Sequence, residues 1–166
     1  GLTSPVRKAG AADRAAMFFR GLFEHTIDAK GRTSVPARFR EVITANYGDR
    51  LVVTTAFDRC LHVLPLKNWE AFEAKLGERS AMEPGVKQIY RTYVANATEV
   101  DVDKLGRILL PPNLHTWADL TKDVVWIGQI KQMELWSKAG WEKASADALS
   151  ADHEQDIARV FREIGG

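Results

Sequence analysis

The sequence predicts a β-rich α+β fold built from two tandem copies of one β-hairpin unit, with helices flanking the strands. Three observations lead there. One stretch recurs at a constant offset, short β-prone runs alternate with tight turns, and two other stretches carry apolar residues at helical spacing. The 166 residues make about one ordinary domain or two small ones, enough to bury a core without a disulfide or metal staple. Apolar residues make up 45% and charged residues 27%, a globular composition too apolar for disorder. No run approaches the ~18 apolar residues of a membrane-spanning helix, so no membrane partner is expected.

Residues 1–16 are rich in Ala, Gly, Arg and Lys, contain Pro5 and show no apolar period. They lack the apolar segment of a secretory signal and read as a disordered leader or expression remnant, with Met17 as the native start. Leu22 to Ile27 alternates and is β-prone, Gly31 can take the positive φ of a tight turn, and Thr33 to Val35 returns as a strand. Pro36 opens a short helix over Ala37 to Thr44, with Phe39, Val42 and Ile43 on one face. Strands Leu51 to Thr55 and Leu61 to Leu64 follow, joined by a polar turn at Asp58 and Arg59. A helix capped by Asn68 then buries Trp69, Phe72 and Leu76. The second copy predicts strands at Thr98 to Val102, Arg107 to Leu110, Val124 to Gly128 and Met133 to Trp136. Its helices cover Asn113 to Leu120 and begin again near Lys138.

Residues 17–81 therefore form the first unit and 98–149 the second. Between them, 82–97 make a connecting helix striped by Val86, Ile89, Tyr90, Tyr93 and Val94. Residues 150–166 end the chain in an amphipathic helix carrying Ile157, Val160, Phe161 and Ile164. Neither stripe has a partner within a four-stranded unit, so each is expected to dock on the sheet or on another subunit.

The repeat itself aligns Glu24-His25-Thr26-Ile27-Asp28-Ala29-Lys30-Gly31-Arg32 with Glu99-Val100-Asp101-Val102-Asp103-Lys104-Leu105-Gly106-Arg107. Its centre is Asp-x-x-Gly-Arg. Asp28 and Asp103 can accept backbone N–H bonds and so shape a turn, while Gly31 and Gly106 let the chain reverse. Each carboxylate can also hold the arginine four residues on, Arg32 or Arg107, by a charge-assisted bond. A single such turn is ordinarily an ion-paired turn and nothing more. Two in matched context argue for rigid loops that present oriented guanidinium groups.

With 23 basic and 22 acidic residues the net charge is +1, so a basic whole-protein field is absent and a polyanion must be held by a local patch. From Met17 to Arg40 the segment is net +3, carried by Arg20, Lys30, Arg32, Arg38 and Arg40. From Glu99 to His115 it is net −1. A positive patch thus surrounds one turn and not the other. Arginine suits phosphate and the O6/N7 edge of guanine because its fork is planar and permanently charged.

The stretches Met17 to Gly21, Ile27 to Arg40, Asp103 to Pro111 and Leu120 to Gly128, with Glu134-Leu135-Trp136 and Trp141, resemble the MraZ family. The resemblance implies a transcriptional regulator of the AbrB-like swapped-hairpin superfamily, its two half-units forming a pseudo-two-fold, β-barrel-like core. It implies a ring-shaped homo-oligomer that binds short direct repeats of double-stranded promoter DNA upstream of its own division and cell-wall operon. Repression is the usual outcome in the family and activation an occasional one. The implied DNA-facing residues are Arg32 and Arg107, to which the charge count adds Lys30, Arg38 and Arg40; Asp28, Gly31, Asp103 and Gly106 shape the turns. A cytoplasmic, nucleoid-associated protein follows, with no cofactor, no metal, no small-molecule substrate and no catalytic residues.

The remaining chemistry-bearing residues point nowhere else. Cys60, the single cysteine, lies in an apolar run and reads as a buried inert thiol. His25, His62, His115 and His153 lack metal-ligand spacing, and no glycine-rich phosphate loop occurs. The alternative reading is an oligomeric protein–protein scaffold in which the arginines form interface ion pairs. Salt dependence of binding separates the two, and an enzyme is a distant third.

Overall fold

The computed structural model describes residues 17–165, so the expected leader lies outside the described residues. Eight strands appear among them: β1 (Leu22–Thr26), β2 (Arg32–Ser34), β3 (Arg50–Thr55), β4 (Leu61–Pro65), β5 (Thr98–Asp101), β6 (Arg107–Leu109), β7 (Asp123–Gly128) and β8 (Met133–Ser137). Helices intervene as α1 (Ala37–Asn46), α2 (Leu66–Gly77), α3 (Val86–Ile89), α4 (Pro112–Trp117), α5 (Lys138–Ala148) and α6 (Glu154–Glu163).

Six strands make one antiparallel sheet in the order β1-β7-β8-β4-β3-β5, and β2 pairs with β6 in a separate two-stranded ribbon. The barrel-like core is not what forms. The sheet is open, with β1 and β5 at its edges, because β2 and β6 leave it to pair with each other and no strand remains to join those edges. The hairpin expectation needs the same correction. Ile27, just past β1, makes one isolated bridge to Thr33 of β2, while the full ladder of β2 runs to β6.

One face of the sheet carries the main core, in which Phe19, Val35, Phe39, Leu51, Leu61, Leu114, Trp126, Met133 and Leu135 are fully enclosed. Phe39, Val42 and Ile43 are the buried face of α1, as their spacing requires. Gly128 is needed for a reason invisible in its own neighbourhood: a Cβ there would strike the backbone of Phe19 and Arg20. That segment is held by reciprocal bonds between Phe19 and Ile130, at 2.7 and 2.8 Å.

The connecting helix docks on the sheet, where Tyr93 and Val94 pack with Val52, Leu64, Trp69 and Phe72. It is not regular, since α3 passes into a π-helical turn at Tyr90–Val94. Asn68 is not a cap either. α2 begins two residues earlier, after Pro65, and the Asn68 amide donates to the Lys131 carbonyl at 2.9 Å. The terminal stripe stays uncovered: Ile157, Val160, Phe161 and Ile164 on and after α6 are all exposed. With Trp117, Trp136, Ala139 and Ala144, the first three of these, Ile157, Val160 and Phe161, border a groove of 1280 Å³, where Arg59 sits 4.0 Å over the Trp117 ring.

Candidate nucleic-acid interface

Both Asp-x-x-Gly-Arg turns fold alike. Asp28 accepts the N–H groups of Lys30 and Arg32 on Oδ1, each at 2.9 Å, and Arg32 Nε on Oδ2 at 2.9 Å. Asp103 accepts the N–H groups of Leu105 and Arg107 at 2.9 Å, and Arg107 Nε at 3.1 Å. Gly31 and Gly106 close the turns at φ 87° and 80°, conformations that favour glycine. Because the aspartate engages Nε, each guanidinium is fixed in orientation while both its Nη groups make no hydrogen bond among the described residues.

The backbone N–H of Arg32, then its guanidinium and the Lys30 N–H, hold the Asp28 carboxyl below its ordinary 3.8; Asp103 is lowered by the equivalent groups of Arg107 and Leu105. A depressed folded value means the turns are fully supported above pH 3.8 and lose that support as pH falls through the lowered value. Carboxyl-carbon NMR titration should give both aspartates midpoints below 3.8, and an ordinary midpoint for either would contradict this bond pattern.

Pairing of β2 with β6 brings the turns together. The register sets Arg32 opposite Leu109, Thr33 opposite Ile108 and Ser34 opposite Arg107. Side chains alternate across a strand, and here Thr33 and Ile108 point inward, each 1% exposed. Arg32, Ser34, Arg107 and Leu109 therefore share the outward face of the ribbon, with the two arginines diagonal to one another. Two cross-turn bonds fasten the arrangement, Leu110 N to Gly31 O at 2.8 Å and Val35 N to Gly106 O at 2.9 Å.

The other charge-derived residues divide. Lys30 is exposed on the first turn and Arg38 is exposed at the start of α1. Arg40 lies at the second turn instead, packed so closely on Gly106 that a side chain there would overlap its guanidinium. Its Nε is buried with no hydrogen-bond partner among the described residues. Burial and then the charge of Arg40 push His25 below 6.5. Leu109 and Leu105, exposed beside the arginines, were not singled out by sequence reasoning. The signal was present in the alignment, where leucines stand in place of Ser34 and Lys30.

Elsewhere, Cys60 is fully buried, its thiol pushed far up by burial and by Glu134, so it is no nucleophile at neutral pH. His62 bonds Tyr93 through Nδ1 at 2.8 Å. Among the described residues no group of three or more His, Cys, Asp or Glu could hold a metal ion, and no helix is long and apolar enough to cross a membrane.

A sequence model of the family described as "MraZ protein, putative antitoxin-like" matches residues 18–91 and again 93–164. The chain belongs to the MraZ family. Its two matched MraZ repeats together span most of the chain, and each contains one of the paired turns. Relatives named "Transcriptional regulator MraZ" include one from Desulfitobacterium hafniense strain DSM 10664 / DCB-2, 44% identical over 133 residues, 80% of this chain and 90% of the relative. Another, from Marinomonas sp. strain MWYL1, is 42% identical over 141 residues, covering 84% and 93%. A third, from Acetivibrio thermocellus, is 41% identical over 148 residues, covering 89% and 99%.

Proposed function

We propose that this MraZ protein is a sequence-specific DNA-binding transcriptional regulator that reads double-stranded promoter DNA through the β2–β6 ribbon. The observation that carries the reading is the pair of partly exposed guanidiniums on one outward ribbon face, each clamped at Nε and making no other hydrogen bond among the described residues. A two-stranded ribbon fits the major groove, and an oriented arginine fork matches guanine O6/N7 or a phosphate. The relatives' name, transcriptional regulator, agrees with that chemistry. Arg32 and Arg107 are the base-reading residues, Lys30 and Arg38 contact phosphates beside the first turn, and Arg40 supports the second. The protein then acts in the cytoplasm, at the nucleoid.

The halves are related by a pseudo-two-fold axis through the ribbon. Supporting this, exchanging each strand for its counterpart in the other unit reverses the sheet order onto itself, and the two cross-turn bonds are reciprocal. The operator is a set of short direct repeats upstream of the protein's own division and cell-wall operon, and a ring of subunits engages it. One ribbon makes few contacts. Several in register with repeated sites turn later contacts into intramolecular ones, adding avidity of ~10²–10⁴. The uncovered stripe of α6 supports such self-association, since a monomer leaves it in water.

The test is a salt series of binding to the duplex upstream of the protein's own gene, beside a duplex with the repeats scrambled. The logarithm of affinity should fall linearly with the logarithm of salt, by about 0.9 per phosphate contacted, and the scrambled duplex should bind far more weakly. Salt-independent binding, or no preference between duplexes, would return the arginines to a structural role.

A further inference from the structure

We infer that Leu109 is a specificity-determining residue that contacts thymine C5-methyl groups, so that the ribbon reads apolar and polar base edges side by side. This rests on the DNA-binding reading above. The outward face of a solvated two-stranded ribbon should be polar, and at the matching place in the first unit it is: Ser34 stands where the second unit has Leu109. Leu109 is nevertheless 56% exposed, directly opposite Arg32, with Cδ1 lying 3.8 Å from where a Gly31 Cβ would stand. Leu105, at the tip of the second turn where the first has Lys30, is 69% exposed. Each unit thus offers the same clamped arginine with different company, an ammonium and a hydroxyl in the first, two isobutyl groups in the second.

In the major groove the apolar group on a base edge is the thymine methyl, next to the edges that arginine reads. Directly opposed residues of an antiparallel pair have Cβ atoms about 4.5–5.5 Å apart. Arg32 and Leu109 therefore address neighbouring base pairs, a guanine beside a thymine. A scattered surface leucine needs no such explanation, but this one stands on the face that carries both guanidiniums.

The experiment compares the duplex upstream of the protein's own gene with the same duplex carrying deoxyuridine at every thymine, which removes methyls and keeps pairing. Wild type should bind the uracil duplex about four-fold more weakly for each methyl contacted. Leu109→Ser should bind both duplexes alike, with circular dichroism and assembly mass unchanged. Equal wild-type binding to both duplexes overturns the inference and leaves the DNA-binding reading intact. So does full discrimination in Leu109→Ser, which would place methyl sensing elsewhere, and a changed assembly mass with discrimination retained would make Leu109 a subunit contact. Failure of wild type to bind either duplex removes the DNA-binding reading and this inference with it.

Discussion

Arg32→Ala is expected to abolish binding to the duplex upstream of the gene while leaving the fold intact. One bidentate arginine–guanine contact discriminates by about 1–3 kcal/mol, and in the proposed ring on repeated sites the loss recurs in every subunit that engages a repeat. The fold should survive, because Arg32 is partly exposed and the Asp28 carboxylate keeps its bonds to the Lys30 and residue-32 N–H groups. Arg32→Lys separates charge from geometry: an ammonium keeps the charge but loses the fork and the Nε clamp, so binding should fall between wild type and Arg32→Ala. Gel-shift titration at fixed salt, with circular dichroism alongside, measures both parts. Retained binding by a folded Arg32→Ala protein would remove the role assigned to the ribbon.

Arg107→Ala should weaken binding too, though less. Counted along the chain, the first segment is +3 and the second −1. Arg40 belongs spatially to the second turn, and reassigning it makes the counts +2 and 0. The asymmetry narrows without vanishing.

The largest effect on stability is expected at Trp126. It is wholly buried on β7, opposite Phe23 of β1 and Leu135 of β8, so its ring ties an edge strand to the middle of the sheet. Trp126→Ala should lower the unfolding free energy by about 3–5 kcal/mol. Trp126→Phe should cost less than Trp126→Ala, because the six-membered ring it keeps leaves a smaller cavity. It also deletes an indole N–H that is buried with no partner among the described residues. Urea unfolding reads both variants, at one fixed protein concentration because the proposed self-association would make apparent stability depend on concentration. A Trp126→Ala protein within about 1 kcal/mol of wild type would contradict its place at the centre of the core.

Most elements and both turns were legible because their causes are local. The Asp28 and Asp103 turns close within five residues, α1 buries the face its spacing marks, and β3, β4, β7 and β8 begin and end within a residue of their apolar runs. Asn68 shows where local reasoning misleads. A side chain suited to capping found the Lys131 carbonyl from the other unit, and Pro65 supplied the helix entry instead. Arg40 shows the same in electrostatics, since charge counted along the chain assigned it to the turn nearest in sequence rather than the one it covers.

The sequence by itself determined that there are two like units, that each carries an Asp-x-x-Gly-Arg turn able to hold its arginine, and which face of α1 is buried. These follow from hydrogen bonds and apolar periods spanning a few residues. Only the tertiary structure decided that β2 pairs with β6 rather than back onto β1, that the sheet stays open, and that Arg32, Arg107 and Leu109 share one face. Two like hairpins satisfy the same local rules whether each pairs with itself or with the other. The choice between them lies in what the exchanged pairing buries, Thr33 and Ile108 beneath the ribbon and Val35 and Leu110 in the core, and that is a property of both units at once.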